Sequence, residues 1–231
     1  MKPRISLLFG LLLLAPGTVP AQTTVRDVMV RPHAFEIGAT VCASGGFDMG
    51  STTATLVRNP AIGADPFPLF SADGRQSASA ELGLTIGYVI TPRFSVEAFG
   101  TLSRPTIRLV ISQDQEFSGG EVPQGDLTEY GVGGNVLMHF PALTIGGRVV
   151  PFVQAGIGFV WQVAGDTSFE RGHLIRAGGG VRYLFASRPG RKPSAGGVRG
   201  DVLLLIRNGG LELTSGHHVT ASAGGGVFFA F

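Results

Sequence analysis

The 231-residue chain has one cysteine and one tryptophan. A solitary Cys42 excludes an internal disulfide, so no cystine staple holds the fold together. Charge is scarce as well: 15% of residues are Asp, Glu, Lys or Arg and the formal net charge is +2. With no basic stripe either, nothing points to a nucleic-acid partner, and none is expected. Beyond residue 14 no apolar run approaches the roughly 20 residues that a membrane-spanning helix needs. Mean hydropathy is nevertheless +0.29. A chain this apolar, without helical spans, has to carry its hydrophobic residues in short alternating segments.

At the N-terminus, Lys2 and Arg4 precede the apolar run 5–14, followed by Pro16, Gly17 and Val19-Pro20-Ala21. These are the three regions of a secretory signal, with cleavage expected after Ala21. The run is about half the length of a bilayer-crossing helix. The expected organisation is a signal peptide over 1–21, a short periplasmic segment over 22–33 and one β domain over 34–231, with no shift of composition to mark a second domain.

The chain is rich in glycine, with 36 residues, and in phenylalanine, with 16. Glycine costs a helix about 1 kcal/mol per position, so this composition favours strands and turns. Apolar residues recur at period two, the spacing that puts them on one face of a strand. Over 218–231, Val219, Ala221, Ala223, Val227, Phe229 and Phe231 alternate with Thr220, Ser222, Gly224 and Gly226. The same alternation predicts strands over 34–42, 77–90, 94–102 (with a possible continuation past Pro105 to 111), 128–140, 149–163, 172–185 and 197–207. Leu137, Leu203 and Leu205 depart from it. Residues 91–92, 141–148 and 187–196 read as turns. Residues 44–75, 112–125, 164–171 and 208–217 read as loops, with 53–57 as a stub of hairpin in the first.

Eight strands, each near or above the roughly 9 to 11 residues that a tilted strand needs to cross a membrane, predict an all-β fold: an eight-stranded antiparallel up-and-down transmembrane β-barrel. Short turns would face the periplasm and the longer loops the outside. A soluble carrier barrel would crowd its water-facing side with Lys and Glu. Here the second face holds glycines such as Gly83, Gly131, Gly156 and Gly180, which suit a narrow interior better than a solvated surface. The apolar face is therefore expected against lipid and the glycine-polar face inside. That assignment collects Glu36, Glu81, Glu97, His139, Gln154, Arg176, Arg182, Arg199 and Asp201 in the lumen. Acids and bases interleaved there would pair into a polar plug. At eight strands the interior is just wide enough for side chains to fill.

From the signal, the alternating strands and the Gly-aromatic strand ending in Phe231, the mature chain resembles the small outer-membrane β-barrel family of OmpA/OmpX-like proteins. The resemblance implies a bacterial outer-membrane location and contact with outer-membrane lipid and lipopolysaccharide. It also implies delivery by the barrel assembly machinery, which would read Val227, Phe229 and Phe231. A monomer without a cofactor is expected, with a structural or surface-interaction role. The alternatives are a narrow channel or transporter for small solutes or apolar molecules, and a lipid-modifying enzyme. For the last, His218, Ser222 and Glu212 invite a hydrolytic triad, but the face assignment points His218 and Ser222 inward, away from lipid. His217 and His218 are adjacent, on opposite faces, and cannot chelate one metal from within a strand. Asp48, Asp65 and Asp73 read as solvated loop carboxylates and Cys42 as a small packed residue. No catalytic, cofactor or metal site is expected.

Overall fold

A computed structural model of the protein describes residues 32–56, 67–112, 120–164, 168–185, 195–211, 213–214 and 216–231. The expected signal peptide lies outside the described residues. Among the described residues eleven strands follow one another: β1 (Phe35–Ser44), β2 (Phe47–Leu56), β3 (Phe67–Gln76), β4 (Ser79–Val89), β5 (Phe94–Ser103), β6 (Thr106–Ser112), β7 (Glu121–His139), β8 (Val149–Ala164), β9 (Ser168–Leu184), β10 (Ala195–Gly209) and β11 (His217–Ala230). One 3-10 turn, Pro141–Leu143, sits between β7 and β8. No described helix is long and apolar enough to cross a membrane.

Eight of these strands close into a ring in the order β1-β4-β5-β7-β8-β9-β10-β11 and back to β1, every pair antiparallel. The last seam pairs Glu36 with Ala230 and Ser44 with Ser222. Closure leaves no edge of unpaired backbone in the ring, the condition for a sheet to lie in hydrocarbon.

The remaining strands form a second sheet, β2-β3-β6, joined to the first residues of β7. It continues the barrel wall beyond three short interruptions, at Gly45-Gly46, Ser77-Ala78 and Arg104-Pro105. Pro105 lacks the N–H that a continuous ladder would use. At Gly46 an added Cβ would press on the Gln76 carbonyl, so only glycine lets the two chains approach so closely there. Gly50 adopts φ 90° at a bulge between Asp48 and Gly50. This extension corrects two sequence expectations: 44–75 is largely a hairpin rather than a loop, and part of 112–125 is strand. Residues 164–171 are likewise mostly paired, since the β8–β9 ladder runs to Ala164 and Ser168. Beyond Pro105 the predicted continuation exists as β6, as a separate strand.

The exterior is apolar. Ile37, Leu84, Ile86, Ile157 and Val202 are each more than half exposed. Aromatic groups mark both ends of this belt: Phe35 with Tyr88 and Tyr183 with Phe185 at one end, Phe159 with Trp161 at the other. Along β7, Tyr130 and Phe140 face outward ten residues apart, a height of about 25 Å at ordinary strand rise and tilt, which matches the apolar band of membrane barrels.

Candidate functional site

The lumen is filled by side chains in alternating apolar and ionic layers. Its floor is the cluster Ala34, Val89, Val150, Leu184, Phe228 and Ala230. Its waist is Phe99, Val160, Leu174, Leu203 and Leu205. At its mouth Met49, Ile107 and Leu127 pack with Phe47 and Leu211. The apolar layers go beyond the expectation of an interior mostly of glycine and polar groups. Leu137, Leu203 and Leu205, irregular by pattern, point inward and are 1%, 4% and 3% exposed. They keep the parity of their strands and replace polar residues on the inner face.

Between the floor and the waist lie two ionic groups. Arg182 Nη2 donates to Glu36 Oε2 at 2.6 Å, and its guanidinium lies 4.1 Å from the centre of the Phe228 ring. Arg199 spans two carboxylates, donating from Nη1 to Glu97 Oε2 and from Nη2 to Asp201 Oδ2, each at 2.7 Å. Gln154 Nε2 donates to the same Asp201 oxygen at 3.1 Å, and Asn135 Nδ2 to Glu97 Oε1 at 3.1 Å. His139 sits apart from both, with Nε2 2.9 Å from the Ser95 hydroxyl. Charges this deep are tolerated because each meets an opposite charge, and Glu97 and Asp201 take further hydrogen bonds, whereas Glu36 Oε1, Arg182 Nε and Arg199 Nε are buried without a partner.

Glu81 and Arg176 are less tightly engaged. Both border a gap of about 10 Å³ shared with Thr40, Cys42, Phe99 and Asp201. They form no direct ion pair, and Arg176 lies 4.3 Å from the centre of the Phe99 ring. The gap has room for about one water molecule.

A third ionic layer, above the waist, was not singled out from sequence. Arg207 Nη1 donates to Glu129 Oε2 at 2.7 Å, Gln162 Nε2 donates to the same oxygen at 2.9 Å, and Gln162 Oε1 accepts from the Leu211 N–H at 2.8 Å. The signal was present: Arg207 shares parity with Arg199 and Asp201, Gln162 with Gln154, and Glu129 with His139.

The other candidates separate. His218 stacks on Phe47 at 4.8 Å between ring centres, and Ser222 is 2% exposed on the inner face. Glu212 and Asp65 lie outside the described residues. Asp48 is 3.6 Å from Arg75 on the exposed extension. Among the described residues no group of three or more His, Cys, Asp or Glu is placed to hold a metal ion. Val227, Phe229 and Phe231 all face outward, 44%, 46% and 48% exposed, and the Phe231 N–H bonds to the Phe35 carbonyl at 2.8 Å.

A closed ring of eight antiparallel strands, greasy outside and packed inside, is the architecture of the small outer-membrane β-barrels. No family model and no curated protein matches the chain. Among solved structures it is similar to the outer membrane protein OprG from Pseudomonas aeruginosa, at 8% identity and a TM-score of 0.55, over 88% of this chain and 98% of that one. Lower-scoring matches are the outer membrane protein AlkL (12% identity, TM-score 0.39, 94% of this chain and 97% of that one) and Ail, the attachment invasion locus protein of Yersinia pestis (10%, 0.35, 86% and 99%). The likeness to OprG is one of fold, and it does not extend to membership of the OmpA/OmpX-like group.

Proposed function

We propose that this protein is an integral outer-membrane β-barrel with a structural or surface-interaction role, and that its lumen does not conduct solutes. The observation that carries this reading is the stack of side chains across the lumen: three apolar layers with ion-paired layers between them. Moving a solute through would require breaking buried ion pairs as well as unpacking Phe99, Phe228 and the Met49 cluster. The β2-β3-β6 extension, set beyond the membrane belt, is the surface through which such a protein would meet its surroundings.

Planar-bilayer recording on the folded chain tests the reading. A baseline without reproducible current steps is expected. Steps of defined amplitude would overturn it in favour of a narrow channel.

A further inference from the structure

On the wall formed by β8 to β11, the lipid-facing residues change character abruptly near the outer end. Toward the middle they are Ile157, Ile175, Leu204, Ile206 and Val219. One step further out they become Phe159, His173, Asn208 and His217, which pair strand to strand in a single row: Phe159 with His173, His173 with Asn208, and Asn208 with His217. Arg171 lies one outward position beyond His173 and pairs with Trp161. Directly paired residues on one sheet face stand about 5 Å apart, close enough to share one small ligand.

Arg171, His173, Asn208 and His217 are all exposed. His173 packs against the Phe159 ring at 5.3 Å. Among the described residues, none of these four side chains makes a hydrogen bond or ion pair within the protein. Among the described residues no Asp or Glu occupies an outward position on this wall; Glu170, next to Arg171, falls on the opposite face. At the outer end of the opposite wall the paired outward residues are Ala43 and Ala80. The exposed Arg104 lies at the outer end of β5 on that wall; the β8 to β11 row differs in setting several donors side by side, beside the aromatic residues that mark the headgroup level.

Resting on the outer-membrane placement proposed above, we propose that this row docks the phosphate of an anionic lipid headgroup. Arg171 supplies a fixed positive charge with a forked donor set, and His173, Asn208 and His217 supply further donors along the row. The row is flush with the hydrocarbon belt and flanked by Trp161 and Phe159, so the phosphate it meets is one attached to acyl chains.

Trp161 is the only tryptophan in the chain, and its emission reports on the lipid beside it. The folded chain is placed in phosphatidylcholine vesicles carrying an equal mole fraction of either brominated phosphatidic acid or brominated phosphatidylcholine. One basic residue at an anionic surface corresponds to an enrichment of about five-fold, so quenching by the phosphatidic acid is expected to be greater by about that factor. Millimolar inorganic phosphate should leave the difference intact. Combining Arg171→Ala, His173→Ala and His217→Ala should bring quenching down to the phosphatidylcholine level, whereas Arg171→Lys alone should retain most of it. Arg171→Ala alone serves if the triple variant does not insert. Equal quenching by the two lipids, a preference that survives the substitutions, or a preference abolished by free phosphate each overturns the proposal. Heat-modifiable gel mobility separates the two levels of failure: an inserted barrel without a lipid preference sinks only this inference, and a chain that never inserts sinks the barrel reading itself.

Discussion

Arg199 is the residue on which the interior most depends, because one guanidinium neutralises Glu97 and Asp201 together. Removing one member of a buried ionic group leaves the others charged and unpaired, at a cost of about 3–5 kcal/mol. Arg199→Met is therefore expected to lower the unfolding free energy by about that amount, read from urea titration in lipid vesicles. The simpler pair should behave differently: replacing Glu36 and Arg182 together by leucine and methionine is expected to cost far less than either change alone, since no charge is stranded. Additive losses in that double-mutant cycle would show that the two side chains are not coupled. The pairing itself was legible in part. Period two put acids and bases on one face, but which acid meets which base depends on shear between strands distant in sequence, and Glu36 and Arg182 are brought together only by closure of the ring.

At the scale of the strand, glycine sets where the wall can bend. A Cβ at Gly156 would press on Asn135 and the Gly134 carbonyl, whereas at Gly100, on the outer face, nothing lies within 4 Å. Gly156→Ala should therefore destabilise the barrel by a few kcal/mol and Gly100→Ala by well under about 1 kcal/mol, compared by the temperature at which gel mobility shifts. Equal effects would mean that crowding does not decide the inner-face composition. The strands of the ring were readable because hydrocarbon on one side and a packed lumen on the other impose alternation. β2 and β3 were not. Beyond the membrane belt both faces of a strand can be polar, and Ser51, Thr52, Thr53, Asp73 and Arg75 are all exposed. There strand pairing maintains the sheet, with only a few inward residues such as Met49 and Ala72 buried beneath it.

The whole molecule is a closed circuit of hydrogen-bonded strands, and the membrane placement proposed for it rests on that closure together with the apolar exterior. The paired lumen and the basic outer row are separate properties of one wall, facing opposite ways, so changes at Arg171 or His217 are not expected to touch the ionic layers. Role was the least legible level: a fold shared at 8% identity transmits architecture and leaves function to the surfaces.

The seam between β1 and β11 joins residues nearly the whole sequence apart, Glu36 with Ala230. Every hairpin can zip locally, yet the cylinder exists only when the first strand captures the last, so partial assembly leaves two raw edges that hydrocarbon cannot solvate. Folding in a bilayer should accordingly be all-or-none, with Trp161 emission and gel mobility tracing one coincident urea transition. Two separated transitions would mean that an unclosed sheet can persist in lipid.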